Sequence, residues 1–80
     1  MSETMTITVK LFAQYRDGLF KVKDMTFPKG HTAIQIVNDI GIDHARLPIG
    51  VLMINGIHIE EDYVVEDGNI YTIFPQVGGG

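Results

Sequence analysis

The sequence has 80 residues, 45% of them hydrophobic and 20% charged, and its ten acidic and six basic residues give a net charge of −4. A chain of that size makes about one small domain, burying roughly 60% of its unfolded surface, and its apolar content is too high for disorder by composition. The acidic balance argues against an electrostatic nucleic-acid footprint, and the absence of cysteine excludes disulfides, thiolate metal sites, iron–sulfur clusters and thiol nucleophiles.

The opening segment, MSETMTITVK, has no basic leader followed by an apolar stretch, and no run approaches the length of a membrane span. The expected location is the cytoplasm, with no membrane contact. Residues 5–12 alternate strictly, Met5, Ile7, Val9 and Leu11 facing one way and Thr6, Thr8 and Lys10 the other, which predicts a half-buried strand. FAQYRDG follows, and its Asp17-Gly18 pair signals a turn into a second extended run, residues 19–27, where Phe20 and Val22 alternate with Lys21 and Lys23. The two strands should pair as an antiparallel hairpin until Pro28, Lys29 and Gly30 break the pattern.

Thr32 opens the one clear helix pattern. Gln35 stands three residues on, as in a capping box, and Ala33, Ile36, Val37 and Ile40 form an apolar stripe that Gly41 is placed to end. Two to three turns do not persist alone in water, so the stripe must pack on a sheet. Residues 42–49, IDHARLPI, read as a loop whose exit Pro48 fixes. GVLMI, residues 50–54, is an apolar strand, and Asn55-Gly56 is a strong hairpin signal that turns it into a brief strand at 57–59. After EEDYVVEDG, residues 70–74, IYTIF, form the last strand.

This order predicts a single α+β domain over residues 1–80: a core of residues 5–75, a five-stranded mixed sheet on one main helix, and a flexible tail over 76–80. A right-handed crossover would put the first and last strands side by side at the sheet centre. The tail would then leave from the middle of a rigid body.

Four segments carry a family resemblance that spans nearly the whole chain: FAQYRDG after the first strand, Ile54-Asn55-Gly56, Asp67-Gly68, and the ending FPQVGGG. Together with the element order they resemble the ubiquitin-like β-grasp sulfur carriers, the group that includes the small subunit of molybdopterin synthase and the thiamine-pathway carrier. Gln76 replaces the second proline of that family's usual ending, and Gly78 adds a glycine before Gly79-Gly80. The resemblance implies a carrier that is a substrate of enzymes rather than a catalyst, with no cofactor or metal of its own. Its implied partners are an ATP-dependent E1-like adenylating enzyme, a sulfur donor, and the large subunit of a cofactor synthase or another sulfur acceptor.

In that chemistry the Gly80 carboxylate is adenylated and converted to a thiocarboxylate. A main-chain carboxyl group, with a pKa of about 3.5, is an ionised oxygen nucleophile at neutral pH. Gly78, Gly79 and Gly80 would thread a narrow active site without side-chain clashes. Residues 76–80, extended, reach roughly 16 Å, and Pro75 would mark where the arm begins. The same activation also serves a ubiquitin-like modifier that is conjugated to lysines. A third reading is a non-covalent β-grasp interaction module with an inert tail.

Strand alternation places Tyr71 and Ile73 in the core and Phe74 on the outer face, with Val51 and Met53 beside it. Phe74, Pro75, Val77, Val51 and Met53 are the expected partner-docking residues. The run from Glu60 to Asp67 holds five carboxylates and no basic residue, as a solvated loop or as a steering surface for a basic partner. Arg16 and Asp17 fit either a partner contact or a local turn or ion pair. His31, His44 and His58 lack metal-ligand spacing and take no role.

Overall fold

The structure is a computed structural model that describes residues 3–76. Strand β1 (Thr4–Leu11) and strand β2 (Val22–Pro28) pair antiparallel, helix α1 (Ala33–Ile40) follows, and then come β3 (Ile49–Ile54), β4 (Ile57–His58) and β5 (Ile70–Pro75). The sheet order is β2-β1-β5-β3-β4, with β5 parallel to β1 and antiparallel to β3. The first and last strands therefore lie side by side inside the sheet, as the element order predicts. Among the described residues no helix is long and apolar enough to cross a membrane.

The alternation of β1 is realised residue by residue: Met5, Ile7, Val9 and Leu11 are each at most 1% exposed. They meet Ile36 and Val37 of α1 and Tyr71 and Ile73 of β5 in one core cluster. The Tyr71 hydroxyl, inside that core, donates to the Ala33 carbonyl at 2.9 Å. Burial, and then the nearby Glu61 carboxylate, push the Tyr71 phenol well above its ordinary pKa, so it stays a donor.

α1 carries the full capping box: Thr32 Oγ1 accepts from the Gln35 amide, and Gln35 Oε1 accepts from the Thr32 amide at 2.8 Å. Two further first-turn amides are satisfied from far along the chain. Ala33 donates to the Tyr63 carbonyl at 2.8 Å and Ile34 to the Glu61 carbonyl at 3.0 Å, which ties the acidic segment to the helix start. Gly41, at φ 94°, takes the left-handed conformation that ends the helix.

The second strand begins later than residues 19–27 predict. A 3₁₀ turn over Ala13–Arg16 is followed by a hydrogen bond from the Leu19 amide to the Arg16 carbonyl, which holds Leu19 in the turn rather than in the ladder. Val22 pairs with Lys10 on the outer face of β1 and is 52% exposed, whereas Phe27, opposite Met5, supplies the buried side chain of β2. The last two strands differ slightly from expectation, β4 ending at His58 and β5 extending to Pro75.

Candidate functional site

β5 delivers the chain to the surface, and its end is built by three converging segments. Tyr71 and Ile73 point into the core, which puts Thr72 and Phe74 on the opposite face. On β3, Leu52 and Ile54 are buried while Val51 and Met53 share the outer face with Phe74. Val51 pairs with Phe74 and Met53 with Thr72, so the expected outer residues are neighbours, and all three apolar ones are half-buried.

Phe12 completes the patch from the third segment. Its ring stacks on Phe74 with centroids 4.4 Å apart and planes 17° from parallel. The Arg16 guanidinium lies over the Phe12 ring, 4.9 Å from its centroid, and its Nε donates to the Leu11 carbonyl at 2.7 Å. Arg16 thus reaches the patch through a cation–π contact rather than through Asp17. Ala13, next after Phe12, turns the chain at φ 53°, a left-handed value that costs a residue with a Cβ about 1 kcal/mol.

The close of β5 depends on Gly50. Between Ile49, opposite Pro75, and Val51, opposite Phe74, β3 carries one residue more than β5, a bulge centred on Gly50. A Cβ at Gly50 would stand 2.6 Å from the Pro75 carbonyl oxygen and 2.8 Å from the Gln76 Cα. The bare backbone lets the end of β5 lie against the bulge. Pro75 is buried there, the last residue of β5, and the Gln76 amide donates to the Pro48 carbonyl at 2.7 Å, so the ladder runs one residue past the proline.

Ala13, Gly50, Val51, Phe74, Pro75 and Gln76 line an open apolar hollow of about 430 Å³ at this exit. No ionisable side chain is among them, so the hollow offers shape and apolar contact, with no acid, base or nucleophile of its own. The structure thus gathers Phe74, Pro75 and Val51, and sets Met53 one pair further along the same face. Val77, Gly78, Gly79 and Gly80 lie outside the described residues. Phe12 and Gly50 are the residues that sequence reasoning missed. Alternation continued one step past Leu11 points Phe12 outward, and a glycine inside an apolar strand signals a bulge or a close approach.

The remaining candidates lie elsewhere. His31 Nε2 and the Asp39 carboxylate are 2.7 Å apart, His44 Nε2 and Asn38 Oδ1 likewise, and His58 is exposed on β4. Among the described residues no three His, Cys, Asp or Glu side chains are grouped to hold a metal ion.

No family model and no curated protein matches the chain. Solved structures do. A Haloferax volcanii protein, HVO 2177, superposes with a TM-score of 0.79 at 20% identity, over 98% of this chain and 89% of that one. A Pyrococcus furiosus protein named for subunit 1 of the molybdopterin converting factor gives 0.69 at 22% identity, over 91% and 99%. SAMP1 from Haloferax volcanii gives 0.71 at 18% identity, over 94% and 99%. With its five-stranded mixed sheet and single helix, the chain has the ubiquitin-like β-grasp fold that these structures share.

Proposed function

We propose that the protein is a sulfur carrier whose reactive atom is the terminal carboxylate of Gly80. An oxygen of that carboxylate attacks the α-phosphorus of ATP on an E1-like enzyme and displaces pyrophosphate. A donor at the oxidation level of sulfide then attacks the acyl carbon, AMP leaves, and a thiocarboxylate remains for transfer to an acceptor enzyme. The observation that carries the reading is the exit of β5: an aromatic and aliphatic patch around a hollow lined by no ionisable side chain, at the root of a glycine-rich segment. Such a surface suits docking, and it leaves the chemistry to the tail.

Docking by Phe74, Pro75, Val51 and Met53, joined by Val77, holds the globule while Gly78, Gly79 and Gly80 thread the active site. With the Gln76 amide tied to Pro48, covalent geometry lets residues 77–80 span at most about 13 Å, a little less than the arm counted from Gln76. The likeness to a structure named for the molybdopterin converting factor supports a cofactor-synthase large subunit as acceptor. The protein is then a substrate or subunit, working in the cytoplasm.

The test is the intact mass of the untagged protein from its host, before and after treatment with a thiol-alkylating reagent at neutral pH. One adduct mapped to Gly80, in a chain without cysteine, is the expected result. An unreactive carboxylate, even with ATP and host activating enzymes supplied, overturns the reading in favour of a non-covalent module. Isopeptide adducts of Gly80 on host lysines would assign the same activation to protein modification.

A further inference from the structure

At the opposite end of β5 from the Gly50 bulge lies a second hollow, of about 560 Å³, beside the edge strand β4. Its apolar floor includes Ile57 and Tyr63, which are 69% and 38% exposed, Ile57 being the most exposed large hydrophobic residue among those described. β4 pairs only with β3, so its outer edge is open. Glu60, Asp62 and Glu66 rim the hollow. Among the described residues the only basic and acidic side chains within 4.0 Å of each other are His31 and Asp39, so none of these three carboxylates has a basic partner.

The charges of the chain are segregated. All six lysines and arginines lie between Lys10 and Arg46, and none occurs from residue 47 onward, where five carboxylates cluster between Glu60 and Asp67. A carboxylate rim around exposed apolar side chains complements one chemistry: a cationic segment that carries an apolar anchor. An open strand edge adds backbone groups to which an extended segment can pair.

We propose that the β4 hollow is a second docking surface, for a lysine- or arginine-rich segment of a partner protein that seats an apolar side chain against Ile57 and Tyr63. Five strand steps from Ile70 to Pro75, at about 3.3 Å each, put it roughly 17 Å from the exit of β5. A partner held there leaves Phe74 and the tail free to engage a different one. The proposal does not depend on the tail chemistry.

The probe is an acetylated peptide, Lys-Lys-Leu-Phe-Lys-Lys, titrated into the full ¹⁵N-labelled chain and read by amide shifts. Its controls are the peptide with serines in place of Leu-Phe and the one with glutamates in place of the lysines. Saturable shifts at Ile57, Tyr63 and Asn69 are expected, weakening about tenfold between roughly 20 and 300 mM salt. Ile57→Ser, and separately the combined Glu60→Gln, Asp62→Asn and Glu66→Gln variant, each weaken binding about tenfold, whereas Phe74→Ser leaves it unchanged. Four outcomes overturn the proposal: no saturable shift, equal shifts at Asp17, Asp24 and Asp43, equal binding of the serine peptide, or shifts of the same residues on simple dilution. The last would assign the face to a second copy of the chain.

Discussion

Gly50 and the carbonyl of Pro75 lie so close that a Cβ on the glycine would stand 2.6 Å from the oxygen. The obstacles are backbone atoms rather than a flexible side-chain end, so no rotamer change relieves the clash. Gly50→Ala should cost about 1–3 kcal/mol and lower Tm by several degrees. It should also speed amide exchange at Gln76, whose bond to Pro48 closes the same contact. Unchanged melting and unchanged Gln76 exchange would show that the close approach is not kept in solution.

The stack of Phe12 on Phe74 makes a separable prediction. A double-mutant cycle with Phe12→Ala and Phe74→Ala should give a coupling of about 0.5–1.5 kcal/mol in folding stability. If the exit of β5 docks the activating enzyme, Phe74→Ala should also raise KM for the carrier about tenfold with little change in kcat. A loss confined to kcat would assign Phe74 to a step after docking.

Tyr71 predicts a pH dependence with a definite sign. Its folded-state pKa lies above the unfolded value of about 10, so its contribution is complete below pH 10 and is lost as pH rises from there towards the folded value. Tyr71→Phe removes the hydroxyl bond to Ala33 and should cost about 1 kcal/mol at neutral pH. The gap between wild type and variant, measured by urea unfolding, should narrow above pH 10. Tyr15, also raised by burial, leaves the variant some alkaline sensitivity.

If the tail threads an activating enzyme as proposed, Gly79→Val should abolish carrier-dependent ATP–pyrophosphate exchange while leaving thermal unfolding unchanged, because a branched side chain blocks a passage that glycine clears. Normal exchange by this variant would remove the requirement for a side-chain-free tail.

Where one short segment decides the structure, the sequence is legible. Alternation alone fixes the buried face of β1, the Thr32–Gln35 box and Gly41 bound α1, and parity puts Phe74, Val51 and Met53 on one face. Features that depend on distant backbone are not. Ala13 adopts a positive φ without being glycine or asparagine, so nothing local announces the turn that delays β2. The carbonyls of Glu61 and Tyr63 serve the start of α1, and Val65 is 1% exposed within a stretch that reads as solvated. Gly50 shows its purpose only when Pro75 is laid across it.

β5 is bonded along both edges, to β1 running the same way and to β3 running the opposite way. A pull on its C-terminal end, directed along the strand, loads these ladder bonds together in shear instead of opening them one at a time. If a partner draws the tail into a cleft, as proposed, the pull therefore runs along a strand that is bonded on both sides. The ladder on either side then holds the described end of that strand in place against the pull.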